Sequence, residues 1–150
     1  MLVFGLIIVV FAIGVIGLYN SLVRKKNQVA NIYATIDALL KKRYDLIPNL
    51  VATAQEYMEY EKDVLSEVTR LRAMALSGNI SDEKRMEIDK KITKALRGIL
   101  VAVENYPELK ANENFLQLQR TLNDIEEQIS AARRAYNAAV TDYNLSLIHI

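Results

Sequence analysis

The chain opens on an apolar run without relief and then settles into amphipathic repetition. From Leu2 to Leu18 the sequence reads "LVFGLIIVVFAIGVIGL", with no charged or hydrogen-bonding side chain. As a helix rising about 1.5 Å per residue it spans roughly 25 Å, the short end of a membrane crossing. Because it is apolar all round, it predicts a membrane helix rather than one face of a soluble core. Beyond it, apolar residues recur at spacings of three and four in four stripes. The first is Leu22, Val29, Ile32, Ile36 and Leu39, and the second runs from Ile47 through Leu50, Ala54, Tyr57, Val64 and Val68 to Leu71. The third is Ile88, Ile92, Ala95, Ile99 and Val103, and the fourth runs from Phe115 to Tyr143. Each predicts a helix with one face in need of a partner.

The boundaries follow from local chemistry. Gly78 in "LSGNIS" is a C-cap glycine, and Ser81 caps the third helix, with Asp82 and Glu83 in its first turn. Pro107 breaks the chain again, with Asn112 or Asn114 as the next cap. The segment "RYDLIPNL", 43–50, is read as a turn: "KKR" ends one helix, Asp45 caps the next, and Pro48 occupies its first turn. A proline inside a helix costs about 3 kcal/mol, and four stripes pair most simply in an up-and-down bundle. The alternative is a rod kinked at Pro48, which leaves the stripe from Leu22 to Leu39 facing water unless another subunit covers it.

The reading is therefore all-α: a transmembrane anchor over 1–19, an up-and-down four-helix bundle with coiled-coil-like stripes over 20–144, and an atypical or truncated tail over 145–150. Bases numbering 19 and acids numbering 18 nearly cancel, but the first 26 residues hold three bases and no acid. The remainder has 16 bases against 18 acids, a poor match to nucleic acid. Arg24, Lys25 and Lys26 come after the apolar run, which predicts an uncleaved anchor with its N-terminus outside and the helices in the cytoplasm.

Catalytic equipment is sparse. There is no cysteine, and the single histidine, His149, lies in the atypical tail. Neither a Ser-His-Asp set nor a Glu-x-x-His metal pair can be assembled, and no Gly-rich phosphate loop is present. We expect no catalytic residues, no metal site, no cofactor and no small-molecule substrate. Glu61, which interrupts the second stripe, is either a buried carboxylate or, more simply, one that reaches water. Leu40, Val51, Met58 and Leu65 flank that stripe and are the expected apolar interaction surface.

The blocks "YNSLVRKKNQV", "IDALLKKRYDLIPNLVATAQEYMEYEKDVL" and "VENYPELKANENFLQLQRTLNDIEEQISAARRAYNAAVTDYN" together resemble the LemA family of bacterial membrane proteins over Tyr19–Asn144. The resemblance implies one N-terminal anchor and a helical bundle, and it supplies no catalytic residue or cofactor. Two features depart from it: Tyr60-Glu61 stands where the family often has His-Glu, and the ending "NLSLIHI" is unlike the family's tail. The function expected is that of a non-enzymatic scaffold at the bacterial cytoplasmic membrane, binding an unidentified protein or a second copy of itself. The alternative is a self-assembling protein that organises lipid or curvature.

Overall fold

The computed structural model describes residues 2–78 and 80–149, with the side chains of Leu2, Asp82 and His149 outside the description. Every regular element among the described residues is helical. They are α1 (Leu2–Gln55), α2 (Lys62–Leu76), α3 (Asp82–Ala102), a 3-10 turn (Val103–Asn105), α4 (Pro107–Lys110) and α5 (Glu113–His149). The chain divides into two compact units. Unit 1 combines α1 up to Leu39 with α5 from Glu127 onward, and unit 2 is Leu40–Glu126.

The expected turn at Pro48 does not form. α1 runs unbroken for 54 residues with Pro48 inside it, so the first two expected helices are one, and Asp45 is mid-helix rather than a cap. The physical reason lies four residues back. Proline has no N–H, so the carbonyl of Tyr44 loses its helical partner. The Arg72 guanidinium of α2 replaces it, its Nε donating to the Tyr44 carbonyl at 2.7 Å. The Arg72 Nη2 also lies 4.0 Å from Asp45 Oδ1. Pro48 itself is on the exposed face of the helix, where its ring displaces no core side chain.

The other boundaries fall close to expectation. Ser81 caps α3, its side chain accepting from the Lys84 N–H at 3.3 Å. Asn112 caps α5 by accepting from the Phe115 N–H at 3.0 Å, while Asn114 is inside the helix. Gly78 is not the cap of α2. Ser77 takes that position in extended conformation, and its hydroxyl donates to the Met74 carbonyl at 2.7 Å. No glycine among the described residues has positive φ, so the reversal needs no left-handed residue.

Unit 2 holds most of the core. Ile47, Leu50 and Ala54 of α1, Val68 of α2, Ile92 and Ile99 of α3 and Phe115 and Ile125 of α5 are all essentially inaccessible. Unit 1 pairs two helices only. Lys25 Nζ donates to Ser146 Oγ at 2.5 Å, and the Tyr33 and Tyr136 rings lie 6.0 Å apart, tilted by 53°. As numbering rises along one helix of the pair it falls along the other, so the two are antiparallel. Two helices can cover each other along one seam only. Leu22, Val29, Ile32, Ile36 and Leu39 are accordingly half-buried, whereas their counterparts in unit 2 are closed off.

The Arg72 contact can be isolated. Replacing Arg72 by Leu leaves a carbonyl without its partner and should cost about 1–3 kcal/mol in urea unfolding. Adding Pro48→Ala restores the missing N–H and should recover about 1 kcal/mol or more beyond its effect in the parent chain. Strict additivity of the two substitutions refutes the compensation.

Candidate functional site

Buried charged groups are brought together in unit 2 at the middle of α1. Arg43 is 3% exposed and Asp89 of α3 is 1% exposed. Arg43 Nη1 donates to Asp89 Oδ1 at 3.1 Å and lies 3.0 Å from Glu126 Oε2 of α5. Its other nitrogen, Nη2, donates to Thr93 Oγ1 at 2.9 Å, and that hydroxyl in turn donates to the Asp89 carbonyl at 3.0 Å. Tyr44, next on α1, points its hydroxyl at Asp89 Oδ1, 3.4 Å away. One guanidinium thus ties α1 to α3 and α5.

Electrostatics fixes the protonation of Tyr44. Burial, reinforced by the neighbouring Asp89 carboxylate, pushes the Tyr44 phenol well above the ordinary tyrosine range. The Arg43 charge opposes that shift, but less strongly. Tyr44 is therefore a neutral donor at any physiological pH. Beside the cluster is a cleft of about 70 Å³, with Arg43, Arg97 and Glu126 as its charged lining and Leu50, Leu96, Leu100 and Leu122 on its apolar side. That volume admits a few water molecules, and of the charged groups facing it Arg43 and Glu126 are engaged with each other. A buried pair of this kind matches one alignment of the helices that carry it, so it can act as a register pin.

The sequence-derived site residues are placed elsewhere. Leu40 and Val51 are each 7% exposed, and Met58 and Leu65 only 1%. They are core residues, so the apolar surface expected of them is absent. The expected stripe through Ile47, Leu50 and Ala54 does face inward, but the residues that flank it are covered as well, so the buried face is wider than one stripe. Glu61 stands at the N-cap of α2, half-buried, its backbone carbonyl accepting from the Leu65 N–H at 3.2 Å. It is not a carboxylate held in the core. His149 has its side chain outside the described residues. Among the described residues no three His, Cys, Asp or Glu side chains form a metal-sized group.

These features define a class: a protein helical throughout its described elements, whose first helix is long and apolar enough to cross a membrane, with a buried ion pair in its core. The comparisons with known proteins narrow it. The model of the LemA family matches residues 32–150, and the chain belongs to that family. Protein LemA of Metamycoplasma hominis is 29% identical over 144 residues, covering 95% of this chain and 65% of that protein. Magnetosome proteins MamQ 2 and MamQ 1 of Paramagnetospirillum magneticum are 21% identical over 172 residues, covering 98% of this chain and 63% of theirs. The chain spans a little under two thirds of the length of these curated relatives.

Two outcomes test the pin. Asp89→Asn removes the buried partner and leaves Arg43 with the part-exposed Glu126, so urea unfolding should show a loss of about 1.5–3 kcal/mol. The paired change Arg43→Met with Asp89→Leu, made together with Glu126→Gln so that no charge is left alone, should cost less. A combined change that costs as much as the single one contradicts this. For Tyr44, the folded state holds the proton more tightly than the unfolded state, so unfolding releases it and stability should fall as pH rises above about 10. Tyr44→Phe should remove that part of the alkaline slope in a pH series of melting temperatures.

Proposed function

We propose that this chain is a single-pass, membrane-anchored helical scaffold without enzymatic activity, which holds its helices at the bacterial cytoplasmic membrane and presents them to another protein or another copy. The observation that carries the reading is the exposure of the apolar run. Its richest 18-residue window has a mean hydropathy of 2.5 and none of it is buried, with Val3 at 72% and Phe11 at 72% exposure. Apolar side chains left open along such a length favour transfer into a bilayer, and the helix continues without a break into the folded residues. Arg24, Lys25 and Lys26 at the end of the run favour a cytoplasmic location for the helices C-terminal to them. The segments of unit 2 fit a compact four-helix bundle, and the pairing of its buried charges with one another supports a structural role for them.

A second reading, self-assembly that organises lipid, is favoured by one observation. The half-buried stripe of unit 1 would be covered more completely in a pair of copies than in one.

Carbonate-washed membranes should retain the full-length protein, and removal of residues 1–26 should release it and abolish liposome binding. Persistent liposome binding by the shortened chain favours the lipid-organising reading. Crosslinking of the full-length protein in membranes, followed by mass spectrometry, separates partners: recurrent links to one other protein support the scaffold, and links solely between copies support self-assembly.

A further inference from the structure

We infer that the groove between the C-terminal end of α1 and the 3-10 turn–α4 segment is a docking site for a lysine- or arginine-bearing segment of a partner protein. This inference rests on the scaffold reading and gives its partner a chemistry. The groove has a volume of about 390 Å³ and is lined by Glu56, Tyr57, Asn105, Tyr106, Pro107 and Glu108. That is the size of a site for side chains, not for a lone ion.

Its lining combines two aromatic rings with two carboxylates. Glu56 and Glu108 are exposed, and among the described residues neither forms an ion pair. Tyr57 is held in place: Asn112, the residue that caps α5 through its Oδ1, donates from Nδ2 to the Tyr57 hydroxyl at 3.1 Å. Tyr106 is half-buried at the cap of α4, with Pro107 fixing the backbone beside it. A ring face flanked by a carboxylate is a receptor for a cationic side chain, which gains a quadrupole attraction and an ion pair together.

The surrounding chain has the same bias. Residues 56–63 and 104–113 carry seven acids and two lysines, and Lys110 is already paired with Glu104. An anionic partner would be repelled, and an apolar one would leave Glu56 and Glu108 unpaired. The charge complementarity therefore selects a basic peptide segment.

The test uses the full-length protein in uncharged detergent micelles, titrated with fluorescein-labelled octalysine and followed by anisotropy. Saturable binding that weakens with salt is expected, with octaglutamate as a non-binding control. Combining Glu56→Gln, Glu108→Gln and Tyr106→Leu should weaken binding about tenfold with the helical circular dichroism unchanged. Glu83→Gln with Glu127→Gln, away from the groove, should leave it within about twofold. Should the Tyr106 change perturb folding, the two glutamate substitutions alone should still weaken binding about threefold. Equal weakening by groove and control substitutions, or no binding at all, overturns the proposal. The membrane crosslinking keeps the two ideas apart. Links to another protein that survive the groove substitutions remove the groove and leave the scaffold; octalysine binding without any such links supports the groove and removes the scaffold.

Discussion

A single carbonyl determines how this chain is organised. With Pro48 inside α1, the Tyr44 carbonyl has no helical donor, and an unpaired backbone acceptor at a partly covered site would favour ending the helix there. Arg72 removes that incentive from outside the helix. Because α1 then continues, Arg43 and Tyr44 sit in its middle instead of at its end, and their polar groups must find partners within the fold. They do so in Asp89, Thr93 and Glu126. The proline, the guanidinium that compensates it and the buried ion pair are thus one connected arrangement spread over four helices.

That arrangement also explains which parts of the structure were legible in the sequence. The helices, the Ser81 and Asn112 caps and the break at Pro107 are local, and local chemistry predicts them. The Pro48 turn is where local chemistry misleads, since the donor that rescues the carbonyl is 28 residues away. A signal was nonetheless present. Ile36, Leu40, Arg43, Ile47, Leu50 and Ala54 alternate in steps of four and three with no change of phase, as expected for one continuous helix. Counting Arg43 as a terminal charge rather than a member of the stripe hid that continuity.

The candidate site was legible to a smaller degree for the same reason. Asp89 continues the spacing of Ile92, Leu96, Ile99 and Val103, so both members of the ion pair occupy inward positions by register. Only their polarity argued against placing them in the core. Leu40, Val51, Met58 and Leu65 were misplaced by the opposite route, because the inward face was read as one narrow stripe whereas its flanks are covered too. Membership of the LemA family agrees with the helical reading, and the residues on which the family resemblance rests include the segment that carries Pro48.

The uneven covering of α1 has a consequence for motion. Local opening free energy follows the apolar contacts and protected backbone bonds around a segment. Leu22 to Leu39 is covered along one seam by one other helix, whereas Leu40 to Ala54 is enclosed within a core and fastened by Arg43. Backbone amides on the first stretch should therefore open at a much smaller free-energy cost than those on the second, although no bond in the helical ladder marks a boundary between them. What is one element in space is two in time: a segment that can fray or exchange partners while its continuation stays locked.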